Sequence, residues 1–128
     1  MALEYLAPSE QSIESRENLI DQIDRYRQQI KQFLLGQSDS QRTDRVVSVP
    51  IFDEVRDQYL VLCYGWRGQE RVYWVVLHLE ISEGKVWVQR NQTEVDVEAE
   101  LMALGIAEKD LVRGLVPPDY RALVGLNG

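Results

Sequence analysis

Two side chains in this sequence could form a nucleophile and its base: the lone cysteine, Cys63, and the lone histidine, His78. Both lie in a β-branched, aromatic stretch interrupted by Arg67-Gly68-Gln69-Glu70, so they fall on neighbouring strands of a hairpin. With Gly68-Gln69 at the centre of that loop, Cys63 stands opposite Trp74 and His78 lies four residues further along, roughly 13 Å at ~3.3 Å per residue. A nucleophile and its base need ~2.6–3.2 Å. The spacing therefore reads as a thiol and a structural or interface imidazole, not as a dyad. Carboxylates are the next candidates: Asp53, Glu54 and Asp57 crowd one loop, and Glu94, Asp96 and Glu98 crowd one helix start. Either trio could be drawn as a magnesium or nuclease site. Turn formation and the helix dipole also account for carboxylates at such positions, and neither a histidine nor a suitably spaced lysine joins them. Gly65, Gly68 and Gly84 read as turn glycines, since neither G-x-G-x-x-G nor G-x-x-x-x-G-K-[ST] occurs. An enzyme is not indicated, and no cofactor is implied.

Composition narrows the remaining classes. The chain has 128 residues with 14 Lys+Arg against 21 Asp+Glu, a net charge of -7. That length suits one domain with an adequate core. One cysteine allows no internal disulfide and no thiolate cluster for zinc. The longest apolar run, Val72 to Leu77, stops at His78, far short of the ~20 residues of a membrane span. The first residues, MALEYLAPSEQS, lack a basic segment followed by an apolar one, so a cytoplasmic location is expected. The acidic balance opposes sequence-independent DNA binding, which needs clustered cations. It permits a local patch: 11 of the 14 cations are arginine, with Arg25, Arg27 and Lys31 on one segment and Arg67 and Arg71 flanking one loop. Ion pairing is their ordinary use.

The elements that would position these groups follow from periodicity. Leu19, Ile23, Tyr26, Ile30 and Phe33 recur at helical spacing between Ser9 and Leu35, which predicts a long amphipathic helix. Pro8 and Ser9 are its start signals, and Gly36 with Gln37-Ser38-Asp39-Ser40 its stop and linker. Four strands are expected at 45–52, 59–66, 71–82 and 85–90, joined by loops too short for anything but antiparallel hairpins. Thr93 is a candidate cap for a helix carrying Val97, Leu101 and Leu104, ended by Gly105. Residues 106–112 read as a short helix, Pro117-Pro118 as an extended turn, and 119–126 as a frayed tail. The fold class is α+β: an antiparallel meander of about four strands, with a long N-terminal helix and short C-terminal helices packed on one face.

Strict alternation then sorts the sheet. With Glu83-Gly84 as a two-residue turn, Ile81 faces Val86, Leu79 faces Val88 and His78 faces Gln89; Leu62 faces Val75 and Leu60 faces Leu77. The expected core face carries Leu60, Leu62, Tyr64, Trp66, Tyr73, Val75, Leu77, Leu79, Ile81, Val86 and Val88. The opposite face gathers Tyr59, Val61, Cys63, Trp74, Val76, His78, Glu80, Lys85, Trp87 and Gln89. It is too aromatic to be left bare, so a partner or an internal cover is expected on it.

Read in order, Arg25-Tyr26-Arg27 with Ile30, Phe52-Asp53, Asp57-Gln58-Tyr59-Leu60, Gly65-Trp66, Arg71-Val72, Leu77-His78-Leu79-Glu80-Ile81, Gly84 to Gln89, Thr93-Glu94, Leu104-Gly105-Ile106, and Pro117-Pro118 with Arg121 resemble the XisI family, the fdxN element excision controlling factors of cyanobacteria. The resemblance makes residues 24–128 a single XisI-like domain and 1–23 an N-terminal extension with the start of the helix. Leu115-Val116 stand where the family tends to place Phe-His, and the tail from Leu123 also departs. The resemblance implies no catalysis. It implies an accessory role in programmed excision of a DNA element during heterocyst differentiation, alongside a site-specific recombinase and an XisH-like protein, which looks nuclease-like and which this chain could assist or restrain. Residues and resemblance together point to a protein-interaction module. Its centre would be Trp74, Trp87, Val61, Val76 and His78, and its rim Arg90, Glu94, Pro117, Pro118 and Arg121, contacting an XisH-like protein or a second copy in a dimer. The alternative is a directionality factor that touches DNA through Arg25, Arg27, Lys31, Arg67 and Arg71.

Overall fold

A computed structural model describes the backbone of residues 8–40 and 45–124, and the side chains of 18–38 and 45–121. Residues 1–7, 41–44 and 125–128, the last including the end of the expected tail, lie outside that range; Pro118–Val124, expected as part of an extended turn and a frayed tail, are instead a 3-10 helix. Helix α1, Pro8–Ser40, is 33 residues long. It buries Tyr26, Ile30, Phe33 and Leu34 against the sheet, whereas Leu19 of the predicted stripe is exposed. The helix does not stop at Gly36, because Phe33 and Leu34 remain in the core and the Ser38 hydroxyl donates back to the Leu34 carbonyl at 2.9 Å. Tertiary packing there outweighs the ~1 kcal/mol that glycine costs a helix.

The sheet has five strands in sequence order: β1 Val46–Asp53, β2 Gln58–Arg67, β3 Glu70–Ser82, β4 Lys85–Asn91 and β5 Leu111–Arg113. The first four form the expected antiparallel meander. Strand β5 adds a fifth, parallel strand to the expected four. Part of the predicted helix at 106–112 is instead a 3-10 turn, Glu108–Asp110, that delivers Leu111 into a parallel pairing with β4. The connection from β4 passes through helix α2, Val97–Ala103, as a parallel crossover requires. The α2 cap is Asp96, whose carboxylate accepts from Ala99 N; the Thr93 hydroxyl instead braces the preceding turn, donating to Asn91 Oδ1 at 2.6 Å.

Two irregularities decide which side chains meet α1. In the β2–β3 ladder Leu62 pairs with Val75 but Val61 pairs with Leu77, so Val76 is an extra residue. In the β3–β4 ladder Leu79 pairs with Val88 but His78 pairs with Arg90, so Gln89 is another. A bulge breaks the period of two. Val76 and Leu77 are consecutive and both buried, and every residue before them is on the face opposite to the one alternation assigns. The core under α1 is therefore Tyr59, Val61, Cys63, Val72, Val76, Leu77, Leu79, Ile81, Val86 and Val88, closed by Val97, Leu101, Ile106 and Leu111. Leu77 to Val88 stand where alternation placed them. Leu60, Leu62, Tyr64, Trp66, Tyr73 and Val75 are not in that core; they form the other face.

Candidate interaction surface

Among the described residues, the face of the sheet turned away from α1 divides into a covered half and a bare half. Over β4 and β5 the chain itself provides the cover. Val112 pairs beside Trp87 and is fully buried, and the Arg121 guanidinium lies 5.0 Å above the Trp87 ring. Arg121 Nε donates to the carbonyls of Arg113 at 3.2 Å and Val116 at 2.9 Å, which fixes the returning segment. That return is tight: a Cβ on Gly114 would meet the Val88 carbonyl oxygen at 2.7 Å. Leu115, Pro117, Pro118 and Tyr120 project from the segment into solvent.

A polar band borders this half. His78 Nε2 donates to Gln58 Oε1 at 2.7 Å, Gln58 Nε2 donates to Glu80 Oε2 at 2.8 Å, and Gln89 Nε2 donates to Glu80 Oε1 at 2.9 Å. The Gln58 amide turns its oxygen to the imidazole because its N–H is spent on Glu80, and this places the His78 proton on Nε2. Arg90 donates through Nε to the Val75 carbonyl at 2.6 Å. Beyond the band, β1–β3 present Val47, Ile51, Tyr64, Trp66 and Tyr73 to solvent. Arg71 lies over two of these rings, 5.5 Å from Trp66 and 5.9 Å from Tyr73.

The predicted interface residues are thus split. Trp87, His78, Arg90, Pro117, Pro118 and Arg121 gather on or beside the covered half, and Glu94 is exposed in the turn before α2. Val61 and Val76 are not surface residues: they are 0% and 6% exposed and belong to the core. Trp74 shares a rung with Cys63 and so sits on the α1 side, at the margin of the core. The Val76 bulge is the reason for all three. Cys63 is buried and hydrogen-bonds Ser48 across 3.1 Å, with the sheet between it and His78.

The predicted DNA-contacting cations occupy two places about 30 Å apart, the length of the ten-residue β2. At one end Arg27 holds Asp57 through Nε at 2.8 Å and a second nitrogen at 3.1 Å, and Lys31 holds Glu54 at 2.9 Å; Arg25 is exposed. At the other end are Arg67, 3.9 Å from Glu70, and Arg71. The Arg27 guanidinium is held above its usual value, chiefly by Asp57. Asp57 also accepts from the Tyr59 hydroxyl at 2.7 Å. Burial raises the Asp57 carboxyl, but the Arg27 and Tyr59 hydrogen bonds prevail and leave it below the ordinary range. Burial and Asp57 together raise the Tyr59 phenol. The loop acids therefore have structural work: Asp53 caps its turn by accepting from the backbone N–H of Val55 and Arg56, each at 3.0 Å. No group of three or more potential ligands converges on a metal position among the described residues.

Residues 20–127 match the family model described as XisI protein. The chain belongs to the XisI family. Among solved structures it resembles a XisI-like protein from Anabaena variabilis, with 29% identity, a TM-score of 0.76, and coverage of 85% of this chain and 97% of the other. It also resembles the fdxN element excision controlling factor XisI from Anabaena variabilis, with 33% identity, a TM-score of 0.72, and coverage of 83% and 97%. A search of curated proteins found no match. The family fold accounts for the helix, the mostly antiparallel sheet and the short second helix. No helix among the described residues is long and apolar enough to cross a membrane.

Proposed function

We propose that this protein is a non-catalytic controlling factor in the excision of a DNA element, acting by contact with an XisH-like protein and by self-association. Family membership and the 33%-identical relative, an fdxN element excision controlling factor, support the excision role. The observation that carries the binding mode is the returning C-terminal segment. Arg121 pins it over Trp87, and it displays Leu115, Pro117, Pro118 and Tyr120 as an apolar ridge on a rigid strand platform. Aromatic anchors beside arginine are what a protein interface uses at its centre. His78 and Arg90 flank the same platform, and Glu94 lies on the turn that follows β4. The test is co-expression with the XisH-like protein of the same genome, followed by light scattering after gel filtration. A stable hetero-complex that is lost in Tyr120→Ala with Arg121→Ala is the expected outcome. Separate elution of the two wild-type proteins refutes the reading.

A further inference from the structure

Among the described residues nothing covers the β1–β3 half of the outer face; the returning segment lies over Trp87 and beside Val112, on β4 and β5. Tyr64, Trp66, Tyr73, Val47 and Ile51 are each between 37% and 63% exposed there. Taking 150–250 Å² for each aromatic side chain, they leave on the order of 400 Å² of apolar surface open to water. That is about half of the ~800 Å² each partner gives to a standard interface, and the polar margins and backbone supply the remainder.

The charges on this face are arranged about a centre. Along the β2–β3 ladder the Trp66–Arg71 pair and the Gln58–Glu80 pair each lie four rungs from Leu62–Val75, because the bulged Val76 adds no rung. Among the described residues Arg71 makes no ion pair and hydrogen-bonds only the Gly65 carbonyl, at 3.4 Å, and Glu80 accepts only from the two glutamine amides. A cation and an anion, both lacking a counter-ion, thus stand about 13 Å to either side of one point. A two-fold axis through that point, lying in the interface and perpendicular to the strands, carries the Arg71 end of one copy onto the Glu80 end of the other. Such a match is self-complementary, as an isologous interface must be.

The open edge of the sheet does not offer a comparable route. Trp66 N donates to Arg45 O at 3.0 Å, which sets the hydrogen-bonding alternation of β1 and turns the nitrogen of Pro50 toward the free edge. A proline there interrupts the outward row of donors that an added strand would use.

We infer that two copies of this chain pack face to face through the outer surface of β1–β3, antiparallel about Leu62 and Val75, with Arg71 of each copy paired to Glu80 of the second copy. The sheets stack about 10 Å apart with their strands within about 30° of alignment. Leu62 and Val75 meet at the centre, and Tyr64 and Tyr73, two rungs from the axis, lie over the Leu60–His78 rung of the second copy. The inference rests on the reading that this protein works by self-association as well as by hetero-contact, and it uses a different surface from the C-terminal ridge.

Light scattering of the full chain at about 100 µM, well above the micromolar affinity expected of the weakest interface of standard size, should give twice the 14.9 kDa chain mass. Tyr73→Glu should give monomer with an unchanged far-UV spectrum. Arg71→Glu and Glu80→Arg each place like charges together and should weaken association at least about tenfold. Mixed, these two single variants should associate with each other, because a heterodimer restores both pairs. A monomeric wild-type chain overturns the inference. So does a dimer that ignores Tyr73→Glu, or a mixture of the charge variants that fails to associate. Loss of the XisH-like complex in the Tyr120 and Arg121 variant, with self-association intact, would separate the two surfaces.

Discussion

The contact between Arg27 and Asp57 fixes α1 to the β1–β2 hairpin, and its strength can be worked from the geometry. The guanidinium donates two hydrogen bonds to one carboxylate, with the two side chains 26% and 17% exposed. Charge-assisted hydrogen bonds of this kind are worth about 1.5–3 kcal/mol, and partial exposure moves the value toward the lower end. Asp57 also has φ of +54°, a conformation that asparagine tolerates and alanine does not. Asp57→Asn should therefore cost about 2 kcal/mol and Asp57→Ala about 1 kcal/mol more. In a double-mutant cycle, Arg27→Ala and Asp57→Asn should show a coupling of about 1.5 kcal/mol. Urea unfolding followed by tryptophan fluorescence, at one fixed protein concentration, would measure it. Because the Asp57 carboxyl is held below its unfolded value of ~3.9, its contribution is fully present above about pH 4 and fades as the pH falls through the lower folded value. Asp57→Asn should flatten the acid limb of the stability profile. Coupling below about 0.5 kcal/mol, or an acid limb unchanged in Asp57→Asn, would refute the reasoning.

Gly65 has φ of +142°, and a Cβ there would stand 2.1 Å from the Arg45 carbonyl oxygen. Gly65→Ala should lose about 2–5 kcal/mol from strain and overlap and loosen the β1–β2 end that carries Trp66, which a fall in the urea midpoint would report. For DNA, Arg27 and Lys31 are already spent on Asp57 and Glu54, so retention on a DNA column at low salt should be weak. A steep salt dependence of binding, about one unit of log–log slope per phosphate contact, would instead revive the directionality reading.

Much of this architecture is legible in the sequence because it depends on local signals. Glu83-Gly84 forces a two-residue turn, with Glu83 at φ +55° and Gly84 at φ +75°, and the pairs Ile81–Val86 and Leu79–Val88 follow from it. Strand limits agree to within about one residue, since β-branched runs end at turn residues. What fails is the face of β2 and of the first half of β3. Val75-Val76-Leu77 is an unbroken apolar run, and nothing in residue type says which of the three is the extra one. One bulged residue inverts every side chain upstream of it. The same run therefore hid both the true core, with Val61 and Cys63, and the bare surface of Tyr64, Trp66 and Tyr73. Strand β5 was illegible for a different reason: three residues, Leu111 to Arg113, are too few to show a period, and only the neighbouring β4 edge makes them a strand. Of the expected surface residues, Trp87, Arg121 and the two prolines do lie together, with the Arg121 guanidinium over the half-buried Trp87 ring and Pro118 opening a 3-10 helix. The partnering of Arg71 with Glu80 was not legible, because it follows from counting rungs across a bulge. Where alternation is broken by a bulge, the functional face of a sheet is set by the ladder and not by the pattern, and this chain owes its open apolar face to that one inserted valine.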